Sequence, residues 1–354
     1  MSQTNSKLAQ LLTDLVAGSA SDFQLKLTAL TQASPQPNQA FGMTPDNVEE
    51  VIKERLPIFQ AVYPQVLALP SSTNSAATLV TLWDFWLPLA LQLVSWRQQL
   101  ARPLIQGILG GQGTGKTTLA AVLSLILEHF GYRTLALSLD DLYKTYDERQ
   151  RLQQQDSRLI WRGPPGTHDV ALGMQVLEQL RQADLKEVVL VPRFDKSAYG
   201  GIGDRISPEP VVRVDFVLFE GWFVGVRPLE AAVFDAPMPT PINTLGDRLF
   251  ARDLNDKLQD YLPLWQRLDR LLILYPIDYR LSQQWRRQAE QQMTGSGKAG
   301  MTDAQVDAFV EYFWRSLHPE LFITPLTKNP NLVDLVVEIN PDHSVGNIYQ
   351  PSPL

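Results

Sequence analysis

The residues from Gly110 to Thr118 are the stretch that most constrains how this chain can fold. Their sequence, GGQGTGKTT, matches the phosphate-loop pattern G-x-x-x-x-G-K-[ST] at every specified position. An apolar run typical of a strand precedes the loop, and one typical of a helix follows it. This order predicts a nucleoside triphosphate site formed by Gly110, Gly111, Gln112, Gly113, Thr114, Gly115, Lys116, Thr117 and Thr118.

Each residue type in the loop has a chemical reason. Small residues let backbone N–H groups turn toward a phosphate, and the helix that begins near Gly115 directs the positive end of its dipole at the same anion. We expect Lys116 to reach the β- and γ-phosphates and the hydroxyl of Thr117 to bind Mg²⁺. The loop by itself predicts that a triphosphate binds, but not what reaction follows.

Charge and composition exclude several classes of function. The 354 residues carry a formal net charge of −7, so a broad basic surface for nucleic acid is not expected. The chain has no Cys, which excludes disulfides and thiolate zinc sites, and its four His do not predict a histidine metal cluster. Residues 1–18 resemble neither a secretory signal nor an Arg-rich transit peptide. We expect a cytoplasmic protein whose partner is a small molecule, and its oligomeric state stays open.

One segment raises the question of a membrane span. The stretch from Leu79 to Trp96 is long and apolar, but it contains Asp84, Pro88 and Gln92. An Asp near the centre of a spanning helix costs about 2.5–3.5 kcal/mol. The sequence therefore favours a buried helix or one that packs on a partner, and no membrane association is expected.

The pattern of apolar residues predicts the fold class. Residues 1–100 show helical periodicity without a chemical motif, and from Leu104 onward strands alternate with helices. The predicted strands cover residues 104–109, 133–139, 188–191, 214–219, 271–274 and 335–339, and the first connecting helix covers 116–129. This order predicts an α/β fold, a P-loop NTPase-type doubly wound and mostly parallel sheet over residues 101–354, with an accessory N-terminal helical region over residues 1–100.

Ionisable residues follow three of the predicted strands. Ligands of such sheets lie beyond the carboxyl ends of the strands, so these residues are expected to form the site. The residues are Asp140 and Asp141 after the second strand, Arg193, Asp195 and Lys196 after the third, and Glu220 after the fourth. A single acid at a strand end is often only a helix cap, but three successive polar ends favour a functional role.

The two acidic strand ends suggest different roles. Asp140 is our candidate for a base that holds an acceptor hydroxyl in line with the γ-phosphorus, and Asp141 is its rival. Glu220 stands where an acid usually acts through Mg²⁺ or its water shell, and Thr117 and Asp140 are the other candidate metal ligands. A triphosphate, Mg²⁺ and a base beside a hydroxyl together favour phosphoryl transfer over simple hydrolysis.

The order and spacing of six motifs resemble a known group of enzymes. They are GGQGTGKTT (110–118), SLDDLY (138–143), WRGPPGTHD (161–169), PRFDKSAYGGIGDR (192–205), LFEGW (218–222) and VVEINPDHSV (336–345). Over about residues 100 to 345 the chain resembles the P-loop kinases that include uridine kinase, phosphoribulokinase and pantothenate kinase. It is most similar to the D-glycerate 3-kinase family of plants and cyanobacteria, although the pair Pro164 and Pro165 departs from the commoner residues of that family's R-G-x-x-G-[ST]-H-D motif.

This resemblance implies roles that the residues alone leave open. It implies transfer of the γ-phosphoryl of ATP to the 3-hydroxyl of D-glycerate, with Asp140 as the base and a place in photorespiration. Because a carboxylate substrate needs a cation, Arg162, Arg193 and Arg205 are the candidates to grip it. The remaining candidate substrate contacts are Asp141, Tyr143, His168, Asp195 and Lys196. Two alternatives stay open: a kinase of a nucleoside, pantothenate-like compound or sugar, and a non-catalytic ATP-dependent binding or switch protein.

A basic, glycine-rich stretch near residues 285–301 is typical of a lid. A helix that carries Arg286 and Arg287 is predicted to run into a loop that holds Lys298 between glycines. Closure would exclude water from the γ-phosphate and bring Arg286 to the developing negative charge. The alternative is a solvated basic helix followed by a flexible linker.

Overall fold

The computed structural model describes residues 3–18, 22–33, 39–70, 75–182, 187–295 and 301–352. The N-terminal region is helical, as predicted. Its helices are α1 (Gln3–Val16), α2 (Phe23–Ala33), α3 (Val48–Leu67), α4 (Ser75–Thr81) and α5 (Leu87–Gln99), and a π-helical turn (Leu82–Trp86) joins the last two.

A mostly parallel sheet of six strands forms the centre of the molecule, so the predicted α/β class is confirmed. Its strands are β1 (Leu104–Gly110), β2 (Thr134–Ser138), β5 (Phe216–Gly221), β6 (Arg270–Pro276), β7 (Leu335–Ile339) and β8 (Val345–Tyr349). They lie in the order β2-β5-β1-β6-β7-β8, and every neighbouring pair is parallel except β7 and β8. The phosphate loop follows β1, which lies inside the sheet between β5 and β6.

Helices on both faces cover the sheet. After β1 comes α6 (Lys116–His129), whose bounds match the sequence prediction. The other helices are α7 (Tyr146–Gln155), α8 (Val170–Leu180), α9 (Leu245–Lys257), α10 (Leu262–Trp265), α11 (Leu281–Gly295), α12 (Asp303–Ser316) and α13 (Pro319–Phe322). Short 3-10 turns span Leu139–Leu142, Tyr199–Gly201, Ala231–Asp235, Leu258–Tyr261 and Leu326–Lys328.

The structure corrects the third predicted strand. Strand β3 (Val189–Asp195) does not join the main sheet but pairs antiparallel with β4 (Asp204–Val211) in a separate two-stranded sheet. Pro192 within β3 has no N–H to donate, which disfavours a central position. The sixth strand of the main sheet is instead β8, which the sequence analysis missed because its residues VGNIY are mixed rather than continuously apolar.

The N-terminal helices and one face of the sheet share a hydrophobic core. Leu12, Ile52 and Trp83 are fully buried in the same cluster as Leu123 of α6 and Phe216 of β5. A second cluster covers the other face of the sheet. The described N-terminal helices are therefore one of the layers that bury the sheet.

The apolar stretch of α4 and α5 packs within this layer. By length and composition alone, Ser75–Gln99 could cross a membrane, but 56% of its 18-residue apolar segment is buried inside the structure. Leu82, Trp83 and Phe85 of the π turn are among its buried residues. The packing agrees with the predicted buried helix.

Candidate active site

The phosphate loop has the backbone shape that its sequence predicts. Gly113 and Gly115 adopt positive φ values of 77° and 86°, which other residues rarely tolerate. The hydroxyl of Thr114 donates a hydrogen bond to the carbonyl oxygen of Gly111 at 2.9 Å, and Nζ of Lys116 donates to the same oxygen at 2.9 Å. The loop thus holds the lysine against its own backbone, at the start of α6.

Two acids lie close enough to Lys116 to influence the pKa of its ammonium group. Burial lowers the pKa of the Lys116 ammonium, and Glu220 and Asp140 oppose this effect. Burial likewise raises the pKa of the Glu220 carboxyl, although Lys116 favours its ionised form. Glu220 lies on β5, aligned with Ile108 of β1 and Ser138 of β2. The structure therefore brings the predicted metal ligand and the predicted phosphate ligand together.

The adjacent aspartates Asp140 and Asp141 have different surroundings. Oδ2 of Asp141 accepts the backbone N–H of Ser138 at 3.0 Å, and it also accepts a bond from Nη1 of Arg193 at 2.9 Å. Asp141 thus closes a capping box at the start of a 3-10 turn. These contacts give Asp141 a structural role and favour Asp140 as the acid that faces an acceptor.

Asp140 is held by a lysine and a tyrosine. Nζ of Lys196 lies 2.6 Å from Oδ2 of Asp140, whose side chain is 27% exposed, and the hydroxyl of Tyr143 also bonds to this carboxylate. Burial would raise the pKa of Asp140, but the Lys196 ammonium and the hydrogen bond from Tyr143 hold it below the ordinary value. Asp140 is thus ionised at neutral pH and can accept a hydrogen bond from an alcohol.

A buried tyrosine orients His168 beneath Tyr143. The rings of Tyr143 and His168 stack with centroids 4.6 Å apart, and Nδ1 of His168 lies 2.8 Å from the hydroxyl of Tyr261. That hydroxyl already accepts the N–H groups of Gly166 and His168, so its own proton goes to Nδ1. The remaining ring nitrogen, Nε2, then carries the hydrogen and has no partner among the described residues.

Burial keeps His168 neutral. The side chain is 1% exposed, and burial lowers its pKa to about 3, against the opposing effect of Asp140. A neutral imidazole with its hydrogen on Nε2 is a donor. Sequence reasoning predicted a polar contact at His168 but missed Tyr261, whose partner lies 93 residues away in the chain.

Two of the three candidate arginines are occupied by structural contacts. Arg193 joins Asp141 and Glu209, which lies 2.6 Å from its Nη2. Arg205 donates from Nε to the carbonyl oxygen of Tyr143 at 2.7 Å and pairs with Asp169 at 3.0 Å. These contacts hold the loops around Asp140 in place, and a carboxylate grip by either arginine stays a prediction.

Arg162 differs from them, because its hydrogen bonds go to backbone carbonyl oxygens and not to an acid. Its Nη1 donates to the carbonyl oxygens of Gly201 and Ile202 at 2.6 and 2.8 Å, and its Cζ lies 6.0 Å from the ring centroid of Tyr143. No carboxylate pairs with it in the described part of the chain. Arg149 is its buried neighbour, which the sequence analysis missed, and burial together with the charge of Arg162 lowers the pKa of Arg149.

Asp195 is a turn residue in the structure. Its Oδ1 accepts the backbone N–H of Ser197 at 2.8 Å and the Ser197 hydroxyl at 2.6 Å. These bonds shape the turn that brings Lys196 to Asp140. A contact between Asp195 and the substrate stays a prediction.

The predicted lid begins beside the phosphate loop. A Cβ on Gly113 would lie 2.8 Å from Cβ of Trp285 in α11, and the Trp285 ring stacks on His343 with centroids 4.6 Å apart. Arg286 pairs with Glu290 at 2.5 Å in this structure. The segment 296–300, with Lys298, lies outside the described residues, so lid closure and the catalytic role of Arg286 stay predictions.

The donor set around the loop fits a magnesium nucleotide. Proteins hold Mg²⁺ through one or two carboxylates together with substrate phosphates, and rarely through a complete cage of side chains. Consistent with this, the described residues contain no group of three or more His, Cys, Asp or Glu that could hold a metal by themselves. Thr117, Glu220 and Asp140 offer oxygen atoms at the loop.

The fold and this site define a P-loop kinase. No protein-family model matches the chain. It is 31% identical over 251 residues to an uncharacterized kinase, mug58, of Schizosaccharomyces pombe, an alignment that covers 68% of this chain and 89% of the relative. It is also 31% identical over 255 residues to the chloroplastic D-glycerate 3-kinase of Arabidopsis thaliana, covering 68% of this chain and about half (54%) of that protein.

A solved structure of a D-glycerate 3-kinase is also similar to this chain. The D-glycerate 3-kinase of Cryptococcus neoformans superposes with a TM-score of 0.66 at 29% identity, over 74% of this chain and 96% of that one. The chain therefore belongs to the family of ATP-dependent P-loop kinases that includes D-glycerate 3-kinase. The resemblance noted from the sequence motifs is confirmed.

Proposed function

We propose that the protein transfers the γ-phosphoryl of ATP to the 3-hydroxyl of D-glycerate, giving 3-phosphoglycerate and ADP, with Mg²⁺. The observation that carries the proposal is the arrangement around Asp140. On one side Asp140 influences Lys116 and Glu220 of the phosphate site, and on the other it bonds to Tyr143, near Arg162. The likeness to the two D-glycerate 3-kinases supports the choice of acceptor.

The acceptor end of the site suits a small hydroxy acid. The guanidinium of Arg162, which pairs with no described carboxylate, can bind the carboxylate of glycerate. The N–H at Nε2 of His168 is buried and has no partner among the described residues, so it can donate to a substrate oxygen that reaches this ring. Two fixed donors and one acceptor would orient three polar groups of the substrate.

The transfer itself needs little covalent chemistry from the protein. The 3-hydroxyl oxygen forms a bond to the γ-phosphorus, the bond from that phosphorus to the β,γ-bridging oxygen breaks, and the hydroxyl proton passes to Asp140. Lys116 stabilises the negative charge that develops on the phosphoryl oxygens. To receive the hydroxyl, Asp140 must exchange its bond to Lys196, whose side chain is 62% exposed.

Thr117, Glu220 and Asp140 are the residues we propose for Mg²⁺. When bound, the ion offsets the charge of the phosphates. Burial, which raises the pKa of Glu220, leaves this acid with a raised affinity for any cation that joins it. We include in the proposal a cytoplasmic location and a role in photorespiration, which rest on the composition and on the family resemblance.

Release of ADP in a coupled assay tests the acceptor. D-glycerate should support turnover, whereas uridine, pantothenate and a reaction without acceptor should not. Turnover without any acceptor would contradict phosphoryl transfer to glycerate, and preference for uridine or pantothenate would move the assignment to another kinase of the same group. Identification of the product as the 3-phosphate rather than the 2-phosphate tests the position of transfer.

A further inference from the structure

A polar cavity lies away from the phosphate loop, beside the amino-terminal ends of β6 and β7. Its volume is about 310 Å³, and its lining includes Arg270 at the start of β6 and Asp334 just before β7. Arg270 precedes by four residues Leu274, which is aligned with Gly110 of the phosphate loop. At a rise of about 3.3 Å per residue, roughly 13 Å of strand separates the two places.

The acids that line this cavity already have partners. Asp269 pairs with Arg102 at 2.6 Å and accepts the backbone N–H of Ile105 at 2.8 Å. Asp334 pairs with Arg270 at 3.0 Å and accepts the backbone N–H of Leu271 at 2.8 Å. Asp269 also lies 3.5 Å from Nη2 of Arg181, so both carboxylates are engaged by arginines other than Arg227.

Arg227, by contrast, pairs with no acid in the described part of the chain. It lines the cavity and is half-buried, and no hydrogen bond or ion pair joins its guanidinium to any part of the chain that the structure describes. Its Nε is shielded from solvent without a partner, as is the indole N–H of the buried Trp265 in the same wall. Burial lowers the pKa of Arg227, and no carboxylate opposes this effect.

The two acids of the lining are taken up by other arginines: Asp269 pairs with Arg102 and Arg181, and Asp334 pairs with Arg270. Arg227 is thus left without a counter-charge among the lining residues. A half-buried guanidinium without a counter-charge is costly, so it needs either water or an anion.

We propose that this cavity binds a small oxyanion, a metabolite that carries a carboxylate or phosphate group, with Arg227 as its principal ligand. A guanidinium pairs bidentately with either group, and the cavity volume falls in the range of about 300–1,000 Å³ that is usual for small-molecule sites. The concave shape favours a small molecule over the acidic surface of a partner protein, which would need a larger and flatter contact.

Calorimetry with two probes tests the site. Inorganic phosphate and succinate are titrated separately into the full chain, with a non-hydrolysable ATP analogue saturating the phosphate loop. Arg227→Met keeps the aliphatic stem and should weaken binding of the better probe at least tenfold. Arg267→Met is the matched control, because Arg267 lies between the lining residues Gln266 and Leu268 in the chain but pairs with Glu178, and it should change the affinity less than twofold. Equal losses in both variants, or none in Arg227→Met, would overturn the proposal.

Thermal unfolding separates a binding role from a structural one. In a buffer free of phosphate and carboxylates, Arg227→Met should melt at or above the wild-type temperature, because it removes an unpaired cation. Phosphate or succinate should then raise the wild-type midpoint by about 2 °C and leave the variant unchanged. A variant that melts well below wild type without anions would show that the guanidinium is structural. Self-association that these anions reverse would mean that an acidic surface of a second copy fills the cavity. Either result would overturn the proposal.

The two probes also indicate the chemical group. Tighter binding of phosphate points to a phosphorylated metabolite, and tighter binding of succinate to a carboxylic acid. Both results support the site, which does not depend on glycerate being the acceptor. Absence of glycerate kinase activity would therefore contradict the proposed function and leave this test intact.

Discussion

The two ends of the central sheet use the same residue type in opposite ways. At the amino-terminal edge, Asp215, Asp269 and Asp334 each stand just before a strand and each form an ion pair with an arginine. At the carboxyl edge, Asp140 and Glu220 lie beside lysines that a substrate can displace or share. Aspartate therefore joins strands at one end of the sheet, and at the other end it is the residue that we propose to accept the substrate hydroxyl.

The three amino-edge aspartates share one geometry. Each carboxylate accepts a backbone N–H from the start of the neighbouring strand or from the residue before it. The bonds join Asp215 to Arg133 at 3.0 Å, Asp269 to Ile105 at 2.8 Å and Asp334 to Leu271 at 2.8 Å. This repeated contact joins β5 to β2, β6 to β1 and β7 to β6 at their amino-terminal ends.

Substitution of Asp140 is expected to have the largest effect, and it tests the difference between the two edges of the sheet. Asp140→Asn should lower kcat by about 10²–10⁴-fold, because the amide cannot take the hydroxyl proton. The unfolding midpoint should move by no more than about 2 °C. Steady-state kinetics and a melting curve on the same sample measure both. Asp141→Asn is the matched control, which should lose stability and keep kcat within about tenfold of wild type. A reversal of the two patterns would exchange the roles of the two aspartates.

The opposite pattern is expected at Asp269. Asp269→Asn breaks the ion pair with Arg102 and should lower the free energy of unfolding by about 2–3 kcal/mol, since the pair is largely shielded from solvent. Denaturant unfolding measures this loss, and kcat should stay within about twofold of wild type. A large fall in kcat without loss of stability would break the contrast between the two edges.

The pH dependence of stability tests the buried imidazole. The pKa of His168 is lowered to about 3 in the folded protein, whereas an unfolded histidine titrates near 6.5. The unfolded state therefore binds the proton first as pH falls below about 6.5, and stability drops until the folded form also protonates near 3. Between pH 7 and 5 this group should cost about 2 kcal/mol.

His168→Gln should remove that part of the pH dependence. Burial also lowers the pKa of His318, but this effect is present in both proteins and cancels in the comparison. Urea unfolding at pH 7 and 5 gives the difference. An unchanged slope in His168→Gln would mean that the imidazole is accessible to protons in the folded state.

The smallest of these effects is expected at Arg162. Arg162→Gln should raise the KM for D-glycerate by about tenfold and the KM for ATP by less than about twofold, because one charge-assisted contact to the carboxylate is lost. Arg205→Gln is the control, since Arg205 holds the loop around Tyr143 and should instead lower the unfolding midpoint. Equal rises in both KM values for Arg162→Gln would contradict a specific carboxylate contact.

Local patterns made the phosphate loop and its flanks predictable. The loop motif, the helix over Lys116–His129 and the polar ends of two central strands follow from residues that are neighbours in the chain. The position of β3 did not follow, because a short apolar run does not say which sheet it joins. Even so, the hairpin that β3 forms with β4 places Lys196 in an ion pair with Asp140. The two predicted residues are therefore in contact, although the pairing of β3 was not predicted.

Distant pairings account for what the sequence analysis missed or misassigned. Asp269 bonds to a backbone N–H 164 residues away, and Asp215 to one 82 residues away. In sequence these aspartates resemble the catalytic candidates, each next to a strand. The same limit applied to the arginines, because whether Arg193 or Arg162 is free for a substrate depends on acids such as Glu209 that fold against it.

The shared core of the N-terminal helices and the sheet has a consequence for synthesis. The helices over residues 3–99 emerge from the ribosome before any strand that they cover, so Leu82, Trp83 and Leu93 are made without the surface that will bury them. Until β5 and β6 are complete, more than a hundred residues later, this layer exposes an apolar face to the cell. Chaperones that recognise such faces are expected to hold nascent chains of this protein for much of their translation.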